Sequence, residues 1–185
     1  MVNNDELSTL ADSRLDQYFL VSPEKLALLF EAAEIRPDDA VLEIGAGAGT
    51  VARNMPPCKS LTVVELDKRL IETLRQEVPR ATVVQGDALQ LVRELPHDVL
   101  IGNLPNVVTE SLMEVLPELS FRTAVLAVGL CANLDRLHET FDVAEVTAIS
   151  GSDFAPPQPS VSRIVKVARR VADPQKSQQP RSRKG

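Results

Sequence analysis

The sequence is poor in the residues that most often build metal centres, disulfide frameworks and aromatic platforms. It has two cysteines, Cys58 and Cys131, with no CxxC spacing and no histidine beside them, so a zinc site or a disulfide framework is not expected. His97 and His138, the only histidines, stand alone, and no metal ligand set is read from the chain. Tryptophan is absent, and the aromatic side chains are one tyrosine, Tyr18, and five phenylalanines. Long hydrophobic runs are also missing. The longest nearly apolar stretch, residues 124–132, is too short to span a bilayer, and residues 2–5 lack the basic-then-apolar order of a signal peptide. A cytoplasmic protein with no membrane contact is expected.

What is present suits one α/β domain. The chain has 185 residues, 44% hydrophobic and 25% charged, enough for one core and too few for a second full domain. Its charge is uneven. Residues 166–185 hold seven basic side chains against one acid, whereas the other 165 residues hold 25 acids against 13 bases. An acidic body repels a phosphate backbone at range, and the basic end supplies a small electrostatic footprint. We read residues 1–168 as a Rossmann-like domain, with 1–21 as an N-terminal capping segment, and 169–185 as a basic, disordered tail.

Short apolar runs at 40–44, 61–64, 82–84, 99–101 and 124–128 read as buried parallel strands. Ser22 followed by Pro23 starts a helix that ends before Pro37; further helices are expected over 68–77 and 109–116, the last begun by Thr109. Residues 141–149 and 161–167 alternate in polarity and are joined by a short turn-rich link, as an antiparallel pair at a sheet edge would be. In such a sheet, ligands bind beyond the carboxyl ends of the strands.

Four successive strand ends carry chemistry. Gly45, Gly47 and Gly49 follow the first strand, where a backbone must turn sharply and approach a ligand. Glycine loops in this place serve nicotinamide, flavin and S-adenosylmethionine proteins alike. Glu65, followed by Leu66, ends the next strand; its carboxylate suits the two ribose hydroxyls of a nucleoside and repels a 2′-phosphate, which disfavours NADP. Asp87, followed by Ala88, ends the third, where it suits an adenine amino group or a helix N-cap. The fourth ends in Asn103-Leu104-Pro105-Asn106.

The segments QYFLV (17–21), LEIGAGAGT (42–50), VVELD (63–67), QGDAL (85–89), GNLPN (102–106) and FAPPQPSV (154–161) resemble, in order, the motifs of the rRNA adenine dimethyltransferases, the family of the small-subunit rRNA and macrolide-resistance rRNA enzymes. The resemblance implies a class I S-adenosylmethionine methyltransferase fold with a mostly parallel seven-stranded sheet whose last strand is reversed. It implies S-adenosylmethionine as cofactor, held by Tyr18, Leu20, Gly45, Gly47, Gly49, Glu65, Leu66, Asp87, Ala88 and Asn103. It implies that Asn103 and the Leu104 carbonyl accept the hydrogens of an adenine amine in RNA, within the turn completed by Pro105 and Asn106, with Phe154 stacking on the base. The chain departs from the family at Asn106, where a tyrosine is usual, at Tyr18, where asparagine is usual, in a shortened segment 129–142, and after Val167, where a small helical domain usually follows. Those departures and the acidic body keep a small molecule or peptide open as the acceptor, and a non-catalytic cofactor- or RNA-binding module as a further alternative.

Overall fold

The structure, a computed structural model, describes residues 2–170. Fourteen helices and strands build the described residues: α1 (Asn4–Leu10), β1 (Phe19–Leu20), α2 (Pro23–Ala33), β2 (Ala40–Ile44), β3 (Ser60–Glu65), α3 (Ile71–Glu77), β4 (Thr82–Gln85), α4 (Ala88–Glu94), β5 (Val99–Asn103), α5 (Asn106–Val115), β6 (Thr123–Gly129), β7 (Phe141–Ile149), β8 (Phe154–Ala155) and β9 (Ser162–Arg169), with short 3-10 turns between some of them. The large sheet has the order β4-β3-β2-β5-β6-β9-β7. Its members run parallel except β9, which is antiparallel to both β6 and β7. The seven strands and the reversed last strand are as expected, with β9 lying inside the edge strand β7.

Strand periodicity explains the two apolar layers. Odd-numbered residues Val41, Val63, Val99, Ile101 and Val125 pack into one cluster with Leu26 and Leu29 of α2 and Leu74 of α3. Their neighbours Leu42, Val64, Leu100 and Leu126 pack on the opposite face with Val92 of α4 and Leu112 of α5. A smaller cluster joins Leu7 of α1 to Phe19, Ala48, Leu70 and Ala155 and fastens the N-terminal segment to the domain.

Four local features differ from the sequence reading. The helix expected from Thr109 begins at Asn106, because Pro105 takes an extended N-cap conformation and the chain turns helical at once. Thr109 lies inside the first turn, and its hydroxyl donates to the Leu104 and Pro105 carbonyls at 3.2 Å each. The α1 helix was not anticipated, although Asn3 and Glu6 form a reciprocal capping box at its start. A separate antiparallel pair joins β1 to β8, Phe19 opposite Ala155 and Leu20 opposite Phe154. Arg169, assigned to the tail, closes β9 with its guanidinium over the Phe121 and Phe141 rings. The rest of that tail from 171 onward lies outside the described residues. Among the described residues no helix is long and apolar enough to cross a membrane.

After β2 the chain builds β3 and β4 on one side, then crosses back to place β5 and β6 on the other. The loops leaving β2 and β5 therefore part in opposite directions, which opens a crevice at their carboxyl ends. Leu100, fully buried beside that switch point, tests how far the site depends on its floor. Leu100→Ala is expected to destabilise the protein by about 2–5 kcal/mol, seen in urea denaturation as a lower midpoint with an unchanged slope.

Candidate active site

A cleft of about 450 Å³ occupies this crevice. Of the residues singled out in the sequence, Tyr18, Gly45, Gly47, Glu65, Leu66, Asp87, Ala88, Asn103, Leu104, Pro105 and Asn106 line it. The structure places three others elsewhere. Leu20 is fully buried in β1. Gly49 faces α3, where an added Cβ would lie 2.8 Å from Val78 and 3.0 Å from Leu74. Phe154 is 3% exposed and belongs to the core layer. Several lining residues went unread in the sequence, among them Gln17, Phe19, Glu43, Asp67 and Gln158.

The glycine loop is shaped by what crosses it. Gly45 and Gly47 have φ of +68° and +57°, the left-handed region where a side chain is strained. A Cβ on Gly45 would meet Leu104 at 2.4 Å, and one on Gly47 would meet the Phe19 ring at 2.6 Å. Glu65 anchors the loop from the neighbouring strand: Gly47 N–H donates to Oε2 and Asp67 N–H donates to Oε1, both at 2.7 Å. Each oxygen keeps a lone pair for a ligand hydroxyl. Burial raises the Glu65 carboxyl above its ordinary range, and the backbone donors act against that rise.

Glu43 lies on the central strand β2, 2% exposed, with Oε2 lacking any hydrogen-bond partner among the described residues. Burial, reinforced by the nearby Glu65 charge, pushes its carboxyl up to about 8. Asp87 caps α4, its Oδ1 accepting from Leu89 N–H at 2.7 Å, and it also lines the cleft.

At the other end, Asn103 Nδ2 donates to the Tyr18 carbonyl at 3.0 Å. A carbonyl only accepts, so the amide nitrogen must face it and Oδ1 is left as an acceptor. The Leu104 carbonyl already receives the Thr109 hydroxyl, with one lone pair remaining. The N-terminal segment is also tied to the loop after β3, because Gln17 Nε2 donates to Asp67 Oδ2 at 3.1 Å and Arg69 bridges Asp67 and Asp12. The Arg69 guanidinium holds the Asp67 carboxyl below its usual range. In total the cleft is lined by five acids, Asp16, Glu43, Glu65, Asp67 and Asp87, against one base, Arg14, which is itself paired with Asp12. Such a lining favours a cationic ligand over an anionic one.

A doubly covered, mostly parallel sheet with one reversed strand and a cleft at its switch point is the fold of the class I S-adenosylmethionine-dependent methyltransferases. The sequence pattern of one such family, ribosomal RNA adenine dimethylase, matches residues 9–130, and the chain belongs to that family. It is 36% identical over 124 residues to the ribosomal RNA small subunit methyltransferase A of Malacoplasma penetrans, covering 64% of this chain and 46% of that protein. Among solved structures it resembles a dimethyladenosine transferase from Plasmodium falciparum (TM-score 0.74, 27% identity, 82% of this chain and 63% of that one). It also resembles the 23S rRNA methyltransferase ErmE (TM-score 0.73, 27% identity, 83% and 70%). The chain spans about half the length of the curated relatives it matches.

The Glu43 carboxyl has a consequence for stability. Its ordinary value is 4.5 and its folded value about 8, so between those pH values the folded state holds a proton that the unfolded chain has released. Stability from this group is therefore full below 4.5 and is lost as pH rises through about 8. Glu43→Gln, which cannot ionise, should gain in melting temperature relative to the parent protein at pH 8 and gain less at pH 5. Equal differences at the two pH values would contradict the buried, unpaired placement.

Proposed function

We propose that the protein binds S-adenosylmethionine in this cleft and transfers its methyl group to an adenine N6 amine in RNA. The observation that carries the reading is the convergence of the Gly45–Gly47 turn, Glu65, Asp87 and the Asn103 turn on one hollow. The residues fit the cofactor. Glu65 has lone pairs for the ribose hydroxyls, Asp87 in the cleft lining has an acceptor suited to an adenine amine, and the orphaned Glu43 Oε2 suits a cationic methionyl end. Bound there, the cofactor supplies an electrophilic methyl group on a sulfonium.

The chain's own part is positioning and charge placement. An exocyclic adenine amine is a weak nucleophile because its lone pair is delocalised into the ring. Asn103 Oδ1 and the remaining lone pair of the Leu104 carbonyl accept the amine's two hydrogens, which leaves its lone pair free to attack. Leu66, exposed at the rim, and Ala88 give the nucleoside apolar walls. Membership of the ribosomal RNA adenine dimethylase family supports the acceptor class.

The acidic lining favours a second reading, in which the acceptor is a small molecule or peptide amine rather than RNA, since the exposed carboxyl groups of Asp16 and Asp87 in that lining oppose a passing phosphate chain. Incubating cell extract with radiolabelled S-adenosylmethionine separates the two: label in RNA is expected, and label confined to protein or small molecules replaces it with the second. Cofactor binding without transfer to any fraction would instead indicate a binding module. Glu65→Ala should weaken S-adenosylmethionine binding by roughly 10- to 100-fold in calorimetry. Asn103→Ala should lower transfer by about 10²–10³-fold.

A further inference from the structure

Few rings line the cleft. The aromatic residues lining the cleft are Tyr18 and Phe19, and Phe19 lies against Gly47 on the glycine-loop side. What stands beyond Asn103 is a second carboxamide. Asn106 opens α5, is exposed, and lines the same cleft. Its side chain lies over Gly129 at the carboxyl end of β6, where an added Cβ would come within 2.8 Å of Oδ1, 3.2 Å of Cγ and 3.3 Å of Nδ2. The sheet fixes that seat, because Asn103 is in register with Ala127 and Gly129 with Ser162.

The two amides differ in freedom. Asn103 is locked by its bond to the Tyr18 carbonyl and presents an acceptor only. Among the described residues Asn106 has no such bond, so it can turn to offer either its NH2 or its oxygen. Adenine carries its amine between ring nitrogens, N1 on one side and N7 on the other. An edge of that kind calls for an acceptor opposite the amine and a donor opposite the ring nitrogen. A fixed acceptor beside a rotatable donor supplies that pair.

We propose that Asn106 is a specificity-determining residue, whose carboxamide donates to the ring nitrogen flanking the methylated amine from a seat that glycine at position 129 leaves open. The proposal rests on the adenine reading above and deepens it. Stacking tolerates any base, because every base has a π-face, whereas a donor aimed at a ring nitrogen tests the identity of the base's edge. This acceptor site therefore selects by edge hydrogen bonds.

The test uses a short single-stranded oligoadenylate and the same oligonucleotide built with 7-deazaadenosine or 1-deazaadenosine. Binding is read by fluorescence anisotropy and methyl transfer by label, for the parent protein, Asn106→Ala, Gly129→Ala and the double variant. Asn106→Ala should lower kcat/KM on oligoadenylate by about tenfold. Gly129→Ala should lower it by a similar factor through displacement of Asn106, and the double variant should be no worse than either single one. One of the two deaza oligonucleotides should be about tenfold poorer for the parent protein and unchanged for Asn106→Ala. S-adenosylmethionine affinity by calorimetry should be the same in all four, which shows that each is folded. Should Asn106→Ala match the parent on oligoadenylate, or the deaza penalties be equal in both, the proposal is overturned and the adenine reading stands. Should the parent bind cofactor yet methylate no adenine oligonucleotide, the adenine reading fails and this proposal with it.

Discussion

The clamp on Glu65 is the interaction on which the site depends. Its two oxygens are held from opposite sides by the N–H groups of Gly47 and Asp67, which ties the loop after β2 to the loop after β3 across a strand boundary. Parallel pairing alone aligns the strands but leaves the loops beyond them unconstrained. With the carboxylate in place, the turn keeps its left-handed residues, and the Phe19 ring closes on Gly47 where no side chain intervenes. That contact draws the N-terminal segment over the cleft, where Gln17 reaches Asp67 and the Tyr18 carbonyl reaches Asn103. One segment thereby joins the end of the cleft that suits a nucleoside to the end that suits an acceptor.

The same clamp has an electrostatic cost that suits the proposed ligand. Glu43 and Glu65 lie on adjacent strands, largely removed from water, and burial raises both carboxyls. Backbone donors compensate Glu65, but nothing compensates Glu43 Oε2. A buried carboxyl without a partner disfavours its charged form, and a cationic ligand reverses that preference by supplying the missing partner. The acids crowding the cleft thus work with a cation and against an anion, which is why the charge asymmetry of the chain bears on the acceptor more than on the cofactor.

The strand ends were legible in the sequence because a parallel strand buried on both faces is a short apolar run with a sharp stop, and the residue at each stop is the one the cleft receives. Glu43 was legible in principle: a carboxyl inside AVLEI, a strand otherwise wholly apolar, signals a buried charge with a purpose. The α1 cap was likewise written in Asn3 and Glu6. Other features were not readable from local pattern. The β1–β8 pair is two residues long on each side and joins segments more than 130 positions apart, so no periodicity announces it. The burial of Phe154 follows from that pairing, since in so short a strand only the tertiary partner decides which way a side chain faces. The early start of α5 came from Pro105, whose fixed φ suits the entry to a helix as well as a loop.

Position 18 shows why a departure from a family pattern at a side chain need not alter the chemistry. Where asparagine is usual, this chain has tyrosine, yet the bond that orients Asn103 is made by the backbone carbonyl of residue 18, which every amino acid provides. What that carbonyl requires is correct placement, and placement comes from Phe19 against Gly47, from Gln17 on Asp67, and from the pairing of β1 with β8. At position 106 the reverse holds. There the side chain itself faces the cleft, and a planar amide cannot do what a ring does, so a change of residue is a change of the surface that meets the acceptor. The two substitutions look alike in the sequence, and only the atom that makes the contact separates the silent one from the consequential one.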